Sequence, residues 1–146
     1  MALDAYAALF PYQTLLGFRV EEWGGDTILL ALDAGDQHVD GTGLVDRGVQ
    51  ASLLDAATGL AGCHCAVPGN MRRVVTLSLA TQFLAPAAPG PLRASGRIVH
   101  RDGKILLAEG RLHGRDGVLL ASATARLRYV GGSEHPDGHP ETDVRG

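Results

Sequence analysis

The sequence is short of lysine, cysteine and aromatic side chains. Lys104 is its one lysine, the two cysteines stand at 63 and 65, and Phe, Trp and Tyr make up 5% of 146 residues. Lys104 lies in Asp102-Gly103-Lys104-Ile105, without the glycine spacing or the Ser/Thr of a P-loop, which excludes P-loop nucleotide hydrolysis. Cysteines two residues apart at a helix end are poor partners for a structural disulfide, so the chain fits a reducing compartment. Cys63-His64-Cys65 has no second ligand cluster, and buried thiols explain it better than a metal does. No metal is expected. With so few rings there is also no stacking platform to single out an aromatic substrate.

Long apolar runs are missing too. Nothing approaches the roughly 18 residues of a membrane span, and MALDAYAALF lacks the basic start of a secretion signal, so a cytoplasmic chain with no membrane partner is expected. Positive charge is not in excess: 13 basic residues face 16 acidic ones, for a net −3. Glu134, Asp137, Glu141 and Asp143 carry that surplus near the C-terminus, leaving residues 1–130 neutral. A neutral body lacks the footprint of a nucleic-acid binder, and no such partner is expected.

What is present is enough apolar content, 45%, for one domain with a sizeable core. The domain is expected over 1–130. The remainder, GGSEHPDGHPETDVRG at 131–146, has almost no large apolar side chains and reads as a disordered tail. His135 and His139 lie there without a third ligand and are given no role.

Residues 2–10 have the composition of a short helix, and residues 18–23 and 26–33 read as two strands joined at Gly24-Gly25. A glycine- and aspartate-rich loop, 34–45, is long enough to be functional. From Asp46 to about Cys65 the pattern turns helical, the one long helix of the sequence. On it, Val49, Leu53, Ala56, Ala57 and Leu60 form a stripe for a sheet. Ala51, Ser52, Asp55, Thr58, Gly59 and Gly62 make a small, polar opposite face. Four strands follow, Arg73–Leu84, Leu92–Arg101, Ile105–Gly114 and Val118–Val130, the last three joined as a meander by tight turns at Asp102-Gly103 and Arg115-Asp116-Gly117. Two strands, one helix and four strands argue for an α+β fold, an antiparallel sheet around a helix.

The stretch from His38 through Asp40, Asp46-Arg47-Gly48 and Asp55 to Gly59, together with Val75–Pro86, resembles the hotdog-fold acyl-CoA thioesterases of the phenylacetic-acid-degradation type over roughly residues 12–130. That family shows Asn-x-x-G-x-x-His-Gly-Gly before its central helix and an acidic residue nine positions after the His. The resemblance implies a hotdog fold: an antiparallel sheet of about six strands wrapped around the helix over 47–65. It implies hydrolysis of a small or aryl acyl-CoA to the acid and CoA, with CoA part of the substrate and no separate cofactor. Asp55 falls on the catalytic carboxylate, Arg47 on the glycine whose N–H polarises the thioester carbonyl, and Thr76 on a residue that helps orient water. Asp40, Asp46 and Gly48 fall on substrate-binding positions, with Asp46 standing where the family has His and Arg47 where it has its first Gly. That departure leaves a non-catalytic acyl-CoA or acyl-carrier binding module as the alternative. A hydratase is disfavoured by the lack of a catalytic His motif.

The residues have plainer readings as well. Asp46 is a preferred N-cap for the amide of Gly48 or Val49, which would leave the Arg47 N–H free. Asp40 beside Gly41 suits a turn, Thr76 suits any strand, and Asp55 alone would be a solvated helix residue. Arg47 and Asp55, eight residues apart, are separated by about 12 Å along a helix axis, so one helix does not easily serve one carbonyl from both. A symmetric homodimer with antiparallel helices side by side would bring one subunit's amide to the other's Asp55, and a homotetramer is expected beyond it.

Overall fold

The computed structural model describes residues 11–140. The expected helix over 2–10 and the last six residues lie outside them. A short helix α1 (Pro11–Leu16) leads into strands β1 (Arg19–Gly24) and β2 (Thr27–Ala34), a 3₁₀ turn at Asp36–His38, and the long helix α2 (Arg47–Ala61). Then come β3 (Asn70–Met71), β4 (Val74–Phe83), β5 (Gly90–Asp102), β6 (Ile105–His113), β7 (Leu119–Tyr129) and β8 (His139–Pro140). Six strands form one sheet in the order β1-β2-β5-β6-β7-β4, every pairing antiparallel, and α2 packs on one face of it. β5, β6 and β7 are the expected meander. No helix among the described residues is long and apolar enough to cross a membrane.

The β1–β2 turn uses Gly25 at φ +58°, the left-handed conformation that a two-residue hairpin turn asks for. The strands show the alternation of a sheet with one covered face: in β6 every second residue from Leu106 to Leu112 is buried. The core joins Leu30, Leu32, Leu92, Leu106, Leu112 and Leu127 to Leu53, Leu54, Ala57 and Ala61 of α2. The helix crosses the sheet over two facing glycines, Gly96 and Gly110. A Cβ at Gly96 would come within 2.1 Å of the Ala57 carbonyl oxygen.

Three expectations are corrected. The buried residues of α2 are Gln50, Leu53, Leu54, Ala57, Thr58, Gly59 and Ala61, so Gly59 too leaves the expected open face, while Val49, Ala56 and Leu60 are only half-buried. Thr58, placed by sequence on the open face, is fully buried, which its hydroxyl tolerates by donating to the Leu54 carbonyl of its own helix at 2.8 Å. The helix stops at Ala61 rather than Cys65. Tyr129 Oη donates to the Gly62 carbonyl at 2.7 Å, and Gly62 is buried where a Cβ would meet Leu106 at 3.1 Å and Ile98 at 3.4 Å, so it belongs to the core and not to an open face. Finally, residues 131–140 are folded, not part of a disordered tail. β8 pairs with β3, Ser133 is fully buried, and Arg72 donates to the carbonyls of Ser133 (2.9 Å) and Glu134 (3.3 Å) while lying over the Tyr129 ring at 4.5 Å. Composition did not reveal this because the segment is held by backbone acceptors around one buried cation, not by apolar side chains.

Candidate active site

The loop before α2 is built on Asp40. Its Oδ1 accepts from the Thr42 amide (2.8 Å) and hydroxyl (2.6 Å), and these bonds hold its pKa below the usual carboxylate range. The Asp40 N–H donates to the Leu44 carbonyl, and Val45 N–H docks on the Ala87 carbonyl of the proline-rich connection. Asp40 is exposed and spends the observed contacts of its carboxylate on its own loop.

Asp46 then caps the helix: its Oδ1 accepts from the Gly48 amide at 2.6 Å. Gly48 is confined by this cap, since a Cβ there would lie 2.8 Å from the same oxygen. Because the cap takes the second amide of the helix, the first one, Arg47 N–H, has no acceptor in the described structure, at the end where the helix dipole is positive. The Arg47 side chain turns aside, its guanidinium 5.7 Å from the centroid of the Phe83 ring.

Two turns on, Asp55 is half-buried and receives a 2.7 Å hydrogen bond at Oδ1 from the Thr76 hydroxyl of β4. This contact depends on a bulge. Thr76 faces Leu127 and Ser78 faces Arg126, so Leu77 is an extra residue, and on either side of it Val74, Thr76, Leu79, Thr81 and Phe83 lie opposite buried residues of β7. The structure therefore brings Asp55 and Thr76 together, and places Asp46, Arg47 and Gly48 at the helix N-terminus, away from them.

Asp55 opens onto a cavity of about 320 Å³ between α1, α2 and the start of β4. Ser52, Asp55, Ala56, Gly59 and Leu60 line it from the helix, one residue per half-turn or turn, Cys63 from just past its end, and Tyr12, Phe18, Arg72 and Val74 from the other side. The Cys63 thiol donates to the Gly59 carbonyl at 3.2 Å, and burial pushes its pKa up to about 12, so it is an inert wall. Tyr12 Oη and Ser52 Oγ are 2.9 Å apart. No group of three or more His, Cys, Asp or Glu among the described residues could hold a metal ion. On the sheet, Arg97 of β5 pairs with Glu109 of β6 at 2.9 Å, and Arg101 pairs with Asp26.

Sequence reasoning gave no role to Tyr12, Phe18 or Arg72. Nothing in their spacing marks them, because the cavity is formed by elements that meet only in the folded chain.

The family model described as Thioesterase superfamily matches residues 43–121. No curated protein matches the chain in sequence. Among solved structures, a thioesterase from Haemophilus influenzae superposes with a TM-score of 0.79 at 20% identity, covering 90% of this chain and 92% of its own. The PaaI protein from the phenylacetic acid degradation operon of E. coli gives 0.78 at 17% identity over 88% and 91% of the two chains. A thioesterase family protein from Silicibacter pomeroyi gives 0.76 at 21% over 89% and 96%. These likenesses establish the fold, the hotdog arrangement of a sheet around a central helix. With the family model spanning more than half of its residues, from the loop glycines through the helix to β7, the chain belongs to the Thioesterase superfamily.

Proposed function

We propose that the protein hydrolyses an acyl-CoA thioester to the free acid and CoA. The observation that carries this reading is Asp55, a carboxylate open to a cavity, with one oxygen fixed by Thr76 and the other left for water. In the proposed reaction Asp55 takes a proton as water oxygen bonds to the thioester carbon. The carbonyl oxygen gathers charge and is held by Arg47 N–H, the C–S bond breaks, and the sulfur leaves with the proton that Asp55 returns.

The donor and the base belong to different subunits of a homodimer, because eight helical residues separate them by about 12 Å. Two features support such a pairing. β4 ends the sheet with an edge unpaired among the described residues, and Phe83 and Leu84 at its end are exposed apolar side chains. A second pairing through the face away from the helix, where Leu77, Ile105 and Leu107 surround a shallow hollow, would join dimers into the homotetramer. Membership of the PaaI-like branch, with an aryl or short acyl group as substrate, is the reading the helix-start spacing favours.

Release of CoA thiol from a panel of short-chain, medium-chain and aryl acyl-CoAs tests the proposal. Wild type is expected to turn over part of the panel, and Asp55→Ala to lose about 10²–10⁴-fold in kcat. An Asp55→Ala protein with wild-type turnover would overturn it. Binding of the esters with no turnover by wild type would favour the non-catalytic binding module instead.

A further inference from the structure

From the hydroxyl pair in the cavity we infer that the site selects acyl groups bearing a hydroxyl close to the thioester carbonyl, a β-hydroxyacyl group, and that Tyr12 is the residue that reads it. The inference rests on the hydrolytic reading above and goes on to name its substrate class.

The argument is a count of protons. Ser52 Oγ lies 2.8 Å from the Gly48 carbonyl, which can only accept, so the single proton of Ser52 is spent there. The contact between Tyr12 Oη and Ser52 Oγ at 2.9 Å then requires Tyr12 to donate. With its proton committed, the Tyr12 oxygen offers the cavity lone pairs only. While the bond to Ser52 holds, it can accept a hydrogen bond from a ligand and does not give one. A hydroxyl substituent satisfies it, whereas a keto oxygen at the same position would set acceptor against acceptor.

Position follows from the helix. Ser52 and Asp55 are three residues apart and so neighbours on one face, with Cβ atoms about 5–6 Å from each other. Asp55 addresses the reacting carbon, which puts the oxygen that Ser52 orients within a few bonds of it. Past Asp55 the wall carries Ala56, Leu60, Phe18 and Val74, the Cys63 thiol is spent on Gly59, and of the two arginines there Arg72 turns its guanidinium to the Ser133 and Glu134 carbonyls. The apolar part of that wall suits a hydrocarbon remainder of the acyl group. Tyr12, at 58% exposure, stands at the rim, where a hydrogen bond competes with water and discriminates by about tenfold rather than thousands.

The experiment compares kcat/KM for hexanoyl-, 3-hydroxyhexanoyl- and 3-oxohexanoyl-CoA. Wild type is expected to favour the hydroxy ester over the oxo ester by about tenfold. In Tyr12→Phe that ratio collapses toward one. In Ser52→Ala the Tyr12 proton is released and can be donated to a ligand, so the oxo ester gains and the ratio falls for the opposite reason, a change that a merely structural role would not produce. Equal use of the two esters by wild type, or a ratio preserved in Tyr12→Phe, overturns the inference while leaving hydrolysis in place. If none of the three is cleaved, the hydrolytic reading fails for this acyl class. The esters then survive intact, and their relative affinities for wild type and Tyr12→Phe decide the inference by the same ratio.

Discussion

Arg47 contributes two unrelated things, a guanidinium lying over Phe83 and a backbone N–H at the first position of the helix. Only the second has a part in the proposed chemistry, and proline can remove it alone. Proline suits the first turn of a helix, and the preceding Asp46 already has φ −57° and ψ 139°, the extended conformation that a residue before proline adopts. Arg47→Pro is expected to keep the far-UV circular dichroism of wild type while losing about 10²–10³-fold in kcat, and Arg47→Ala to retain turnover. Full activity in the proline variant would remove the amide from the mechanism. At this scale the sequence was most readable where the chemistry is local. The Asp46 cap follows from residue type and position alone, as does the Asp40 turn. The Thr76–Asp55 hydrogen bond spans 21 residues, and only the family resemblance had put the two residues in one site. Arg72 was unreadable, because its acceptors are backbone carbonyls about sixty residues away.

Strand and helix boundaries were legible to within a few residues where polarity alternates between glycine turns, as in β6 and β7. The face of α2 was not. Apolar periodicity favoured Val49, Ala56 and Leu60, yet the closest approach to the sheet falls at Ala57 and Thr58, where small size matters more than hydrophobicity. A usable signal existed in Gly96 and Gly110, isolated glycines inside strand patterns, which mark a close approach. They are not equivalent. A methyl at Gly110 would meet the ends of the Leu54 and Thr58 side chains at 3.1 Å, whereas at Gly96 it would meet helix backbone at 2.1 Å. Gly96→Ala is therefore expected to destabilise by about 1–3 kcal/mol or more, and Gly110→Ala by less, as read from denaturant midpoints. The reverse order would mean that the helix, not its side chains, is the part that yields.

Assembly belongs to the molecule as a whole. If donor and base come from different subunits, mixing Arg47→Pro with Asp55→Ala should restore activity that neither has alone, because each mixed dimer holds one intact site. Equilibrated equal mixtures are expected to recover about a quarter of wild-type turnover by random pairing. No recovery would place both groups in one subunit. Strand order could not be read at this scale, since any antiparallel edge can pair with any other. The chain end escaped for a related reason: its few side chains say little, while its backbone answers a charge placed far upstream. That clamp also orders events in time. Arg72 and Arg73 line the cavity, and Arg72 finds its acceptors, as Arg73 N–H finds the Ser133 hydroxyl, only after residue 133 has been synthesised. A nascent chain holding the whole sheet through β7 would offer that cavity cation only the Tyr129 ring, so a product cut short at residue 130 leaves the Arg72 guanidinium without its two carbonyls.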